Sequence, residues 1–225
     1  MSYYNLANLY SDTQRFKESE EMYKATLAIY EELARANPQA YEPDLADSYN
    51  NLAILYSDTQ RIKESEEMHK AALMIRERLA KANPQAYEPD LAMSYYNLAN
   101  LYSDTQRLKE SEEMYKLAIA IYEELAKANP QAYEPALANS YNNLAVLYYK
   151  TQRLKECEEM NKLALVIRKR LAEANPQAYE PDLAMSYNNL AVLYYNTQRF
   201  RESEEMHKAA LTIRERLAKE NPEAN

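Results

Sequence analysis

The stretch "SDTQRFKESEEMYK" at residues 11–24 returns as "SDTQRIKESEEMHK" at 57–70 and "SDTQRLKESEEMYK" at 103–116. It appears twice more, as "YKTQRLKECEEMNK" at 149–162 and "YNTQRFRESEEMHK" at 195–208. The Thr-Gln-Arg tripeptide starts at Thr13, Thr59, Thr105, Thr151 and Thr197, a constant step of 46 (13 to 59) without insertion or deletion. Asn-Pro recurs in step at Pro38, Pro84, Pro130, Pro176 and Pro222. Strict self-similarity at this period predicts a solenoid of supersecondary units, each too small to bury its own apolar face.

Working outward from the turn, the second copy shows what one unit contains. Leu45, Tyr49, Leu52 and Tyr56 fall at i, i+4, i+7 and i+11, one apolar stripe at helical period. "SDTQR" interrupts, and Ile62, Ser65, Met68, Ala72, Ile75 and Leu79 make a second stripe. Glutamates crowd the start of the second helix (Glu64, Glu66, Glu67) and Arg76, Arg78 and Lys81 its end, which complements the helix dipole. Pro43 suits a first helical turn, and "NPQAYEP" is expected to end the second helix because Pro84 and Pro89 cannot continue it. The expected unit is two antiparallel helices of about 16 and about 20 residues, roughly 24 and 30 Å long. The units are placed at 1–42, 43–88, 89–134, 135–180 and 181–225 within a single repeat domain.

Composition narrows the function classes. The chain has 225 residues, 47% hydrophobic and 28% charged, too apolar for disorder. A net charge of −8 argues against an electrostatic grip on nucleic acid or anionic lipid. No apolar run reaches bilayer-spanning length, and MSYYNLANLY does not read as a signal peptide. With one cysteine, Cys157, no internal disulfide is available, so a cytoplasmic location is expected. Glycine is absent, which disfavours phosphate-cradling loops.

"YYNLANLYSDTQRFKESEEMYKATL" resembles the tetratricopeptide repeat: a large aromatic, Asn-Leu, a small residue, a tyrosine, a turn, then an aromatic and a small residue on the second helix. The "NNLAILY…EEMHKAALMIRERLA" phrasing is most similar to the long repeats of kinesin light chain and its bacterial relatives. The likeness covers the whole chain. It implies an all-α fold, a right-handed superhelix of five helical hairpins whose first helices line a concave groove, and a protein-binding role. One departure concerns the turn, where the motif's glycine is replaced by Gln14, Gln60, Gln106, Gln152 and Gln198. A left-handed glutamine costs about 1 kcal/mol, so a different closure of the turn is expected.

Comparing the copies locates the variable face. The column of Asp47 reads Met1, Asp47, Met93, Asn139, Met185, and that of Asn50 reads Tyr4, Asn50, Tyr96, Asn142, Asn188. The column of Ile54 reads Asn8, Ile54, Asn100, Val146, Val192, and those of Ser57 and Asp58 end as Tyr149, Lys150 and Tyr195, Asn196. Positions 47, 50, 54, 57 and 58 share one face opposite the apolar stripe. Tyr, Asn, Met, Val and Ile there, with few charges, are the mixture of a contact surface, whereas drift alone would leave Lys, Glu and Gln. Asn5, Asn51, Asn97, Asn143 and Asn189 form an amide ladder on its shoulder, similar to that of O-linked N-acetylglucosamine transferase. Such amides either hold the backbone of an extended peptide or bond a neighbouring helix. The candidate groove comprises Tyr4, Asn5, Asn8, Asn50, Asn51, Tyr96, Asn97, Asn100, Asn142, Asn143, Tyr149, Lys150, Asn188, Asn189, Tyr195 and Asn196. Asp12, Asp58 and Asp104 give way to Lys150 and Asn196, so a bound peptide is expected to carry its basic residue toward the N-terminal half.

No catalytic, cofactor or metal site is expected. His69 and His207 share a column three copies apart and are expected to pack between second helices, and Cys157 replaces a serine at a helix crossing. On the second helix, Glu32, Arg78, Glu124, Arg170, Arg216 and Tyr30, Arg76, Tyr122, Arg168, Arg214 alternate in kind, which predicts ion pairs and arginine–tyrosine stacks between neighbouring second helices. The chain opens inside a first helix and stops at Asn225 in the column of Tyr41, which suggests an excerpt of a longer array or an engineered assembly. End-to-end self-association through Ala209, Ala210 and Ile213 is the accompanying expectation. The leading function is a protein-interaction module taking a peptide segment of a partner, and the rival is an engineered scaffold without a native ligand.

Overall fold

The computed structural model describes residues 3–220, which form ten helices and no strand. They are α1 (Tyr3–Asp12), α2 (Phe16–Ala36), α3 (Pro38–Asp58), α4 (Ile62–Ala82), α5 (Pro84–Asp104), α6 (Leu108–Ala128), α7 (Pro130–Lys150), α8 (Leu154–Ala174), α9 (Pro176–Asn196) and α10 (Phe200–Glu220). The chain divides into two units, 1–118 and 119–225, with the division falling inside α6. In the first unit α1 through α5 pack each on the next, and in the second α7 through α10 do the same.

The first helices are longer than their stripe predicts. α3 has 21 residues and opens at Pro38, not Pro43, and α5, α7 and α9 open likewise at Pro84, Pro130 and Pro176. Asn-Pro is thus a start signal as well as a stop. Asn37 ends α2 in extended backbone (φ −145°), and its Oδ1 accepts from the N–H of Ala40 at 3.3 Å. Pro38 then takes N1, where no N–H is needed. Pro43 sits one turn further in and removes only the bond its nitrogen would have made back toward Gln39, so the helix continues through it.

The glutamine turns close the way a glycine would. Gln14, Gln60, Gln106, Gln152 and Gln198 all adopt φ of 58–61°. Around Gln60 the N–H of Arg61 reaches the carbonyl of Tyr56 at 2.7 Å and that of Gln60 reaches Ser57 at 2.9 Å, the paired bonds of a Schellman cap. Thr59 Oγ1 adds a bond to the Leu55 carbonyl at 2.8 Å. Three satisfied carbonyls at the helix end outweigh the left-handed strain, so the expectation of another turn geometry is corrected.

The core of each unit is built from the predicted stripes. In the first, Ala7, Tyr23, Leu52, Leu55 and Tyr56 form one cluster, and Ala34, Leu45, Ala46, Ile75 and Leu79 another. In the second, Leu165, Leu183, Leu190, Tyr194 and Ile213 pack together. The alanines of the Asn-Leu-Ala triplet are 0% exposed, which lets each hairpin's helices approach closely. Ser65 Oγ crosses that contact to the carbonyl of Ala53 at 2.8 Å, and Ser19, Ser111 and Ser203 repeat the bond on Ala7, Ala99 and Ala191.

Neighbouring hairpins are clasped at the turn. The Arg61 guanidinium lies over the Tyr56 ring, and its Nη1 donates to both carboxylate oxygens of Glu20 at 2.8 Å, one copy earlier. Tyr56 donates to the same carboxylate at 3.2 Å. Arg107 and Tyr102 hold Glu66, and Arg199 and Tyr194 hold Glu158, in the same way. Partial burial pushes the Glu20 carboxyl up, but bonds from Lys24 and Arg61 outweigh it and leave the group below the usual carboxylate range.

Candidate contact face of the first helices

Stacked first helices bring the predicted amide column against the preceding copy. Asn51 Nδ2 donates to the Tyr4 hydroxyl at 3.0 Å, Asn97 Nδ2 to Asn50 Oδ1 at 2.9 Å, and Asn189 Nδ2 to Asn142 Oδ1 at 2.8 Å. Of the two roles open to the ladder, these N–H groups serve the neighbouring helix. The carbonyl oxygens of Asn51, Asn97 and Asn189 accept no bond from the described residues, and the three side chains remain half-buried at the face. Asn196 Nδ2 reaches the Tyr149 hydroxyl at 2.6 Å by the same one-residue-ahead offset.

Exposure sorts the remaining candidates. In the first unit Asn5 is exposed, Tyr4, Asn8, Tyr96 and Asn100 are half-buried, and Asn50 is buried. In the second, Asn142 is buried, Asn143 and Asn188 are half-buried, and Tyr149, Lys150, Tyr195 and Asn196 are exposed. Asn50 and Asn142 act as acceptors inside the wall of the face, not on its open surface. The apolar and aromatic side chains that stand out from it are Ile54 and Met93 on one unit and Val146, Tyr149, Met185, Val192 and Tyr195 on the other.

Asn8 and Asn100 are held from beneath. The hydroxyl of Tyr23 donates to Asn8 Oδ1, and that of Tyr115 to Asn100 Oδ1, both at 2.5 Å. The signal was in the columns: asparagine at the Ile54 position occurs only with tyrosine at the His69 position, whereas Ile54, Val146 and Val192 accompany His69, Asn161 and His207. In the second unit the valine–asparagine combination leaves a hollow of about 130 Å³ lined by Ala145, Val146, Tyr149, Cys157, Asn161, Asn189, Val192 and Leu193.

The second helices interact differently from the alternation the sequence suggested. Arg76 is 2% exposed and donates to Asp47 Oδ1 at 2.5 Å, Ser94 Oγ at 2.8 Å and the Asp90 carbonyl at 3.1 Å, all on first helices. Arg168 is placed likewise by Asn139, Ser186 and the carbonyl of Asp182. Arg78, Arg170 and Arg216 pair with Glu42, Glu134 and Glu180 of their own hairpins, while Glu32 pairs with Arg35 and Glu124 with Lys127. The arginine–tyrosine stacks occur at the turns instead, with guanidinium carbons 4.0–4.1 Å from the rings. Long arginines reach the polar edge of a first helix before they reach a neighbouring second helix. Met74 and Val166 also stand exposed on α4 and α8, so bare apolar side chains are not confined to first helices.

Cys157 and His69 are both buried. Burial pushes the Cys157 thiol up to about 11, against a weaker opposing bond from Asn161, which keeps it neutral and unreactive. His69 is buried, as expected, but His207 is exposed on α10, a correction to its predicted packing. Among the described residues no group of three or more His, Cys, Asp or Glu side chains could hold a metal ion. Asp12, Asp58 and Asp104 are exposed at the last position of α1, α3 and α5, where the negative end of the helix disfavours them, and form no salt bridge with any described residue.

These features define an all-helical solenoid of stacked hairpins whose first helices present a mixed amide and apolar face. Two family models described as tetratricopeptide repeat match the chain, one over residues 1–78 and 44–124, the other over 137–177 and 183–223. The chain belongs to the tetratricopeptide repeat family. Among solved structures it is similar to BtubC (BKLC) from P. vanneervenii, with 27% identity over 94% of this chain and 78% of that one and a TM-score of 0.79. It also resembles a putative kinesin light chain of Podosopora anserina with nearly identical TPR-like repeats (21% identity, 99% and 96% covered, TM-score 0.73). MamA shares the fold at 16% identity over 95% and 96% of the two chains, with a TM-score of 0.62. No curated protein sequence matches. No described helix is long and apolar enough to cross a membrane.

Proposed function

We propose that the first-helix faces bind a peptide segment of a protein partner, and that the chain acts as a non-enzymatic interaction module. The observation that carries this reading is the exposed, sparsely charged face itself. Ile54 and Met93 in the first unit, and Val146, Tyr149, Met185, Val192 and Tyr195 in the second, stand out beside half-buried amides. Apolar side chains flanked by uncommitted carbonyl acceptors suit a chain that supplies both side chains and backbone N–H groups. In the first unit Asp12, Asp58 and Asp104 sit at unfavourable helix ends without counterions, which favours a basic segment there.

The test is peptide-array binding of the intact chain, repeated with Ile54→Glu and Val192→Glu on the faces and with Met74→Glu on α4 as a control. Binding lost in the face variants and kept in the control supports the reading. Equal effects from all three overturn it. A library that yields no specific binder favours the rival, a structural or engineered repeat scaffold without a ligand.

A further inference from the structure

The hollow in the second unit occupies a place that other copies fill with their own tyrosine. Tyr23 and Tyr115 are 5% and 2% exposed, and each hydroxyl ends on an asparagine carbonyl of the first helix. The fourth copy has Asn161 in that column and Val146 opposite, so both the ring and its acceptor have been removed. What remains is apolar on its sides, from Ala145, Val146, Val192 and Leu193, with polar groups on Tyr149, Cys157, Asn161 and Asn189. Asn161 is 4% exposed, and its Nδ2 donates to the Cys157 carbonyl at 3.0 Å and to its sulfur at 3.4 Å. Asn189 donates to Asn142. Neither residue's Oδ1 receives a hydrogen bond from the described residues, so the lining carries two amide acceptors beside the Tyr149 hydroxyl, which itself accepts from Asn196.

We propose that this hollow binds a phenol-type side chain, an aromatic ring tipped with a neutral hydrogen-bond donor, presented by the partner segment. The inference rests on the reading of the first-helix face as a contact surface and names the anchor it takes. The volume matches a single six-membered ring, since an apolar cavity of about 150 Å³ is enough for benzene. The two carbonyls reward a hydroxyl over a bare ring, because entry of a purely apolar group leaves them desolvated and unbonded. With no carboxylate in the lining, a cationic side chain has no counter-charge.

Free p-cresol tests the hollow without any peptide, with toluene as the ring that lacks the donor. The methyl resonances of Val146 and Val192 are followed in the intact chain, in Asn161→Met, which closes the hollow, and in V146N/N161Y, which restores the tyrosine–asparagine pair of the first and third copies. Saturable shifts with p-cresol, roughly 3–10-fold weaker binding of toluene, and loss of both in either variant are expected. Toluene binding as tightly as p-cresol, shifts that never saturate, or shifts that survive in a folded variant would overturn the proposal. Failure with p-cresol leaves the peptide-binding face standing. Binding of p-cresol together with peptides indifferent to Ile54→Glu and Val192→Glu strikes the face reading instead.

Discussion

The guanidinium of Arg61 lies 4.1 Å from the ring centre of Tyr56 while its Nη1 grips Glu20 of the preceding hairpin. One side chain therefore stiffens its own turn and ties two repeats together. Arg61→Lys keeps the charge but loses the flat stack and the forked bond. With both partners partly exposed, a small loss of stability is expected, measured as a lower urea midpoint. Because repeat arrays couple mainly to nearest neighbours, the first unit should begin to unfold ahead of the second.

Gln60 holds φ at 61°, a region that a Cβ disfavours. Gln60→Gly removes that strain and keeps every backbone bond of the cap. The variant is expected to be more stable by about 1 kcal/mol, the gain being reduced by the greater freedom of glycine in the unfolded chain. Thermal melting reads it directly, and the same change at Gln14 or Gln198 should act in the same direction.

Asp47 accompanies Arg76 and Asn139 accompanies Arg168, methionine with tyrosine replaces the pair in the first and third copies, and the fifth combines Met185 with Arg214. Asp47→Met leaves a buried guanidinium with Ser94 and the Asp90 carbonyl as its acceptors among the described residues and should cost about 2 kcal/mol. Arg76→Tyr alone strands neither charge in the interior, since Asp47 is half-exposed, and should cost less. The combined D47M/R76Y variant recovers much of the loss if the pair acts as a unit. Additive effects in the double-mutant cycle would show that it does not.

His69 carries a pH dependence with a defined sign. Burial, helped by the charge of Arg76, pushes its imidazole from 6.5 down to about 4. The unfolded chain then takes up the proton first, so the stability present above pH 6.5 is lost as pH falls toward 4. Between pH 8 and pH 5 the loss is about 2 kcal/mol. His69→Asn, the residue of the fourth copy, should flatten the curve by that amount, and His207→Asn at an exposed site should leave it unchanged.

Much of the fold was legible because 3.6-residue periodicity and a fixed 46-residue step leave few alternatives. The stripes at Leu45, Leu52 and Tyr56 and at Ala72, Ile75 and Leu79 are the buried ones. Helix starts are less legible because Asn37-Pro38 has the form of a stop, while an asparagine cap followed by proline at N1 is equally a beginning. The geometry of the glutamine turn is not legible from a single-residue penalty, because the carbonyls that the cap satisfies outweigh it. The face was harder. Whether Asn97 serves a ligand or its neighbour depends on the approach of two first helices, which no single helix encodes. The Asn8–Tyr23 and Asn100–Tyr115 pairs, by contrast, are legible in two columns that change together.

Wherever the turn clasp is seen, the later hairpin supplies the arginine and tyrosine and the earlier one the glutamate. The array therefore has a direction, like a row of tiles each with one tongue and one groove. A whole 46-residue copy can be duplicated or cut out in frame, and the seam that results still offers a cation to a carboxylate. Length can change by recombination between similar copies without any new joint having to evolve, while the residues on the first-helix face remain free to diversify copy by copy.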